Sequence, residues 1–97
     1  MTQFTECNDD SAKTMRRQLL LNGAKHVSIV TDGALRISKS LCPITQTRWQ
    51  WLVCVSRNRK PVSDSEARQL AIRFVTDHEI ESVNREPHMT SVWFKQK

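Results

Sequence analysis

The stretch HVSIVTDGALRISKS, residues 26–40, decides how this chain folds, because its apolar residues fall into two alternation phases at once. It reads as a hairpin, and the length of its loop sets which side chains share a face. A two-residue turn at Asp32-Gly33 pairs Val30 with Leu35 but leaves Val27 and Ile29 on the opposite side from Leu35 and Ile37. A three-residue loop Thr31-Asp32-Gly33, with Gly33 left-handed, gathers Val27, Ile29, Leu35 and Ile37 on one face and Ser28, Arg36 and Ser38 on the other. The three-residue loop, which keeps the apolar set on one face, is the expected one.

Working outward, Asp9-Asp10-Ser11 before AKTMRRQLLLNG predicts a helix with an Asp or Ser cap and a stop at Asn22-Gly23. Ala12, Met15 and Leu19 form its apolar stripe, Lys13, Arg16 and Arg17 lie beside it, and Leu20 and Leu21 point progressively away. Downstream of a Cys42-Pro43 connector, TRWQWLVCVSR alternates as a strand, with Trp49, Trp51, Val53 and Val55 on one face and Gln50, Leu52, Cys54 and Ser56 on the other. Ser63 and Glu66 have capping-box spacing and predict a second helix over 63–77, packed through Leu70 and Phe74. The tail MTSVWFKQK predicts a last strand after a turn at Pro87, with residues 80–84 as a short partner. The expected fold is α+β: an antiparallel sheet of three to five strands, two amphipathic helices on its apolar face, and the order αβββαβ. Residues 1–97 read as one domain, with residues 1–8 as a flexible N-terminus.

Composition narrows the classes. Ninety-seven residues with 38% hydrophobic content supply one modest core. No apolar run approaches the ~18 residues that span a bilayer, and the N-terminus lacks a basic, then apolar, leader, so a soluble protein with no membrane partner is expected. Cys7, Cys42 and Cys54 are odd in number and widely spaced, which argues against a disulfide framework and for a reducing, cytoplasmic setting. The three histidines are dispersed and C-x-x-C, H-x-x-x-H and glycine-rich phosphate loops are missing, so no catalytic residues, metal or cofactor are expected and an enzyme is not the reading.

Charge supplies the candidate contacts. Fifteen Lys+Arg against ten Asp+Glu give a net +5 and favour polyanionic partners. Lys13, Arg16 and Arg17 on the first helix and Arg57, Arg59 and Lys60 in the loop after the Trp strand are the candidate phosphate contacts. The acids are bunched: Glu6, Asp9 and Asp10 near the start, and Asp77, Glu79, Glu81 and Glu86 in one window. Bunched carboxylates can occupy a protein site built for phosphates and so compete with DNA. Trp49 and Trp51 read as core residues.

Two resemblances bear on function. The helix, three strands, helix order is similar to the double-stranded RNA-binding domain, although the second helix opens VSDSEARQLA without the lysine cluster those domains place there. The chain as a whole, in its length, its opening MTQFTECNDDSAKTMRRQLLLNGAKH and its two helices around an antiparallel sheet, resembles small prophage-encoded anti-CRISPR proteins that inhibit type I-F systems. That resemblance implies a non-enzymatic inhibitor acting in the host cytoplasm. It would dock on protein subunits of the crRNA-guided surveillance complex and block target DNA through the acidic residues named above. The alternative is a small basic nucleic-acid-binding protein; otherwise, only weak, non-specific nucleic-acid binding is expected.

Overall fold

A computed structural model describes residues 3–96. Its elements are β1 (Thr5–Glu6), α1 (Asp10–Leu21), β2 (Lys25–Asp32), β3 (Leu35–Pro43), β4 (Trp49–Arg57), β5 (Lys60–Pro61), α2 (Asp64–Ala71), β6 (Ile80–Arg85) and β7 (Thr90–Phe94). All strands pair antiparallel in one seven-stranded sheet of order β1-β2-β3-β4-β7-β6, with β5 also on β4. The α+β class is as expected, but the sheet has more strands than three to five. Because β1 precedes α1 and β5 precedes α2, the element order also departs from αβββαβ and from that of the double-stranded RNA-binding domain. The segment expected to be flexible carries β1, which pairs Thr5 with Thr31 and Glu6 with Val30.

The β2–β3 hairpin corrects the loop expected from the sequence. Asp32 pairs with Leu35, Val30 with Ile37 and Ile29 with Ser38, so the turn is the two-residue Gly33-Ala34. Gly33 takes φ +61 at the first central position, as a primed hairpin turn requires. Val30 therefore joins Leu35 and Ile37, while Ile29 points to the other side with Ser38. The apolar set is split, and the split is stable because the helices cover opposite faces of the sheet instead of sharing one.

On the first face, α2 closes a core of Leu35, Ile37, Val53, Val55, Val92 and Phe94, with Ala67 and Ala71 as the helix's own contribution. Two alanines let the helix axis approach the sheet closely, and Leu70 and Phe74 pack at the rim instead of the centre. The Ser63 hydroxyl accepts the Glu66 N–H at 3.2 Å. The reciprocal half of the capping box is absent, because the Glu66 carboxylate takes both guanidinium nitrogens of Arg57, at 3.1 and 2.9 Å, and ties the helix to β4. The helix ends at Ala71, well before residue 77. Arg73 and Phe74 donate to Leu70 and Ala71 in a tightened turn, which brings Val75 into the core and Phe74 edge-on to Phe4 at 5.3 Å.

On the second face, Ala12 and Met15 of α1 pack on Ile29, Cys7 and Val27. Asp9 caps this helix by accepting the Ala12 N–H at 2.8 Å, and Arg36 reaches from β3 to Asp9 and Ser11, both at 2.8 Å. The helix stops where expected: Gly23 takes φ +91, and a Cβ there would meet Pro43 at 3.2 Å. Leu20 and Leu21 stay outside the core, 52% and 79% exposed.

A candidate nucleic-acid interface on the sheet

Eight residues of helix extend only about 12 Å, whereas the nine residues of β4 run about 30 Å. The end of β4 that carries Val53 and Val55 is buried under α2. The other end carries Trp49 and Trp51 on the same face, and both remain half-buried. Their neighbours on β3, in register, are Pro43 and Leu41.

Three basic side chains converge on these indoles. Lys39 Nζ lies 4.5 Å from the Trp51 ring centroid and Lys25 Nζ lies 4.3 Å from that of Trp49. The His26 ring stands 6.2 Å from Trp51. Its position depends on a bulge in β2: Lys25 pairs with Leu41 and Ser28 with Lys39, so two residues of β2 stand opposite one of β3. His26 sits in that bulge with φ +53, a left-handed conformation uncommon outside glycine. A bulge redirects side chains, and here it brings His26 beside Trp51.

Neither Lys25 nor Lys39 has an ion-pair partner among the described residues, in contrast to two of the basic residues singled out in the sequence. Arg57 is committed to Glu66, and Arg16 lies 3.9 Å from Glu6. Asn58 and Arg59 form the tight β4–β5 turn with positive φ, which leaves Arg59 and Lys60 exposed at the far end of β4 from the tryptophans. Lys13, Arg16 and Arg17 belong to α1, which packs on the other face. The candidate basic residues therefore do not converge, and a different set does. Part of that set was legible: Lys39 occupies the alternation phase of Leu35, Ile37 and Leu41, an apolar slot filled by lysine. The approach of Lys25 and His26 depends on the bulge and leaves no mark in the local pattern.

The acids are mostly absorbed by the fold. Glu86 bonds the Ser91 hydroxyl, Glu6 faces Arg16, and Asp9 caps α1, while Asp10 lies in its first turn. Asp77 and Glu79 lead into β6, an edge strand of the sheet, and Glu81 lies in it. Glu79 pairs loosely with Lys95 at 3.6 Å and Glu81 accepts from Gln50 at 2.9 Å.

Asp9 offers a direct check of the α1 cap. The Ala12 N–H, aided by Cys7 and Arg36, holds its carboxyl below the usual carboxylate range, against an opposing contribution from desolvation. A carboxyl depressed in the folded state contributes stability that is present above its ordinary pKa and is lost as pH falls through the folded value. Thermal melts between about pH 5 and pH 2 should therefore fall more steeply for wild type than for Asp9→Asn, which keeps a capping oxygen but cannot ionise. Parallel curves would remove this role.

A groove of ≈540 Å³ lies on the other face between α1 and the sheet and is lined by Met15, Leu19, Ser38, Cys54 and Met89 among others. Burial pushes the Cys54 thiol up, so it stays protonated at neutral pH, and it lies 3.7 Å from the Ser91 hydroxyl. Among the described residues no three ligand-type side chains come together to hold a metal, and no helix is long and apolar enough to cross a membrane. Comparisons with family models, with curated proteins and with solved structures find no match to this chain.

Proposed function

We propose that this chain binds single-stranded nucleic acid through the Trp49–Trp51 platform. The observation that carries the reading is two half-buried indoles on one strand face, each with a lysine over its ring that has no ion-pair partner among the described residues. Residues two apart on a strand are separated by about 6.6 Å, twice the rise of stacked bases, so the bases they receive must be splayed, as only a single strand allows. The lysines already on the rings do not block this. An exposed cation–π contact contributes about 0.5–1 kcal/mol and a base stacked on an aromatic about 1–3 kcal/mol, so exchange is favourable and frees each ammonium for a phosphate.

The test is a titration with a single-stranded oligonucleotide of about 12 residues and with a duplex of the same length, followed by tryptophan emission. The single strand should quench emission and bind more tightly than the duplex. Lys25→Gln/Lys39→Gln should lower the slope of log affinity against log salt by about 1.4, or about 0.7 for each lost contact. Equal affinity for the duplex, or no change in emission, would refute the platform.

A second reading keeps the inhibitor implied by the anti-CRISPR resemblance. The observation favouring it is that Asp77, Glu79 and Glu81 are exposed and run onto an edge strand of the sheet. Reversing these three to Lys should place like charges opposite a phosphate-binding groove, at several kcal/mol per desolvated pair, with stability changed by no more than about half a kcal/mol per site. The folded variant should then fail to keep target DNA off a purified surveillance complex. For naked single strands the same variant has the opposite expectation: each reversal adds two positive charges to a net of +5, and binding should tighten. One protein thus separates the two readings.

A further inference from the structure

We propose that the outer face of α1 is a second docking surface, built for an acidic amphipathic helix of a partner protein. Lys13, Arg16, Arg17, Leu20 and Leu21 fall at i, i+3, i+4, i+7 and i+8 and form one continuous stripe lining a shallow groove of ≈370 Å³. The fold makes no use of the leucines, which are 52% and 79% exposed at the end of the helix, because the residues that pack on the sheet are Ala12 and Met15. Arg16 is half-buried, and its Nη2 nitrogen is buried with no hydrogen-bond partner, 3.9 Å from Glu6.

Charge and shape select the occupant. Three cations at one end and two leucines at the other match a helix that carries carboxylates and apolar anchors on one face, the helix-in-groove mode of recognition. A phosphate backbone would satisfy the cations but leave the leucines without a partner. A lipid surface calls for an apolar face along the helix, and in α1 that face is already spent on the sheet. A second copy docked through this stripe would offer the three cations no carboxylate. Because α1 covers the face opposite the tryptophans, the dock is independent of the nucleic-acid platform, and one molecule can hold both partners.

The probe is a labelled synthetic peptide of about 21 residues, with leucines at helical spacing on one face and glutamates flanking them, followed by anisotropy. A scrambled peptide of the same composition and vesicles of phosphatidylcholine with phosphatidylglycerol complete the set. The amphipathic peptide should bind at least about tenfold more tightly than the scrambled one, and both Leu20→Ser/Leu21→Ser and Lys13→Glu/Arg17→Glu should remove at least about tenfold. Trp49→Ala/Trp51→Ala should leave peptide binding intact, which separates this surface from the platform: a protein that ignores oligonucleotides but holds the peptide loses the first reading only. Equal binding of the scrambled peptide, no binding of either peptide, or capture of vesicles in preference to peptide would each overturn the dock.

Discussion

Trp49→Ala/Trp51→Ala is expected to weaken single-strand binding by at least about 30-fold, the low end of about 1–3 kcal/mol of stacking lost at each of two bases. Both indoles are half-buried, so truncation also removes packing, and Trp51 in particular leans on the buried core. Denaturant melts of the variant are therefore part of the experiment, with binding measured where the protein is folded. Trp93 provides the internal control. It lies on β7 next to Phe94 in sequence, so it projects to the opposite face, and it pairs in register with Leu52 instead of either platform tryptophan. Trp93→Ala should leave oligonucleotide affinity within about threefold of wild type, and in the double variant its emission should no longer respond to oligonucleotide. If the folded double variant binds within about threefold of wild type, stacking on this face is not the mechanism.

Phe94→Ala is expected to cost about 3 to 5 kcal/mol of stability, a large part of the 5–15 kcal/mol typical of a domain. Phe94 is wholly inaccessible, set in β7 between β4 and β6 and roofed by α2. Phe74, which the sequence pattern marks as the packing residue of the second helix, should cost less. Its ring is half-buried and meets Phe4 edge-on at an interplanar angle of 73°, so Phe74→Ala should lose about 1 to 2 kcal/mol from partial burial and the aromatic pair. Chemical denaturation should show the midpoint moving with little change in slope for both variants. Equal losses at Phe74 and Phe94 would mean the core is centred on the helix and not on the sheet.

Local chemistry was legible where the signal is contained within a few residues. The β4 alternation from Trp49 to Ser56, the Asp9 cap, the Gly23 stop and the Ser63 acceptor all follow from side-chain spacing or from a backbone donor that needs a nearby oxygen. The β6–β7 hairpin across Pro87 was legible for the same reason. The register of residues 26–40 was not. Period-two alternation states which side chains share a face, but not whether one face or both will be covered. With a helix on each face, Val30 and Ile29 are both correctly placed, and the shorter turn holds. The candidate site lay beyond local reading for a related reason. Trp49 and Trp51 continue the apolar phase of Val53 and Val55, and only the short reach of α2 decides that the valines are sealed while the indoles stay half-open. Lys25 and His26 reach those rings through a bulge, which changes the count of residues on one strand relative to another. A relation between strands distant in sequence is set when the sheet assembles, and only the tertiary structure contains it.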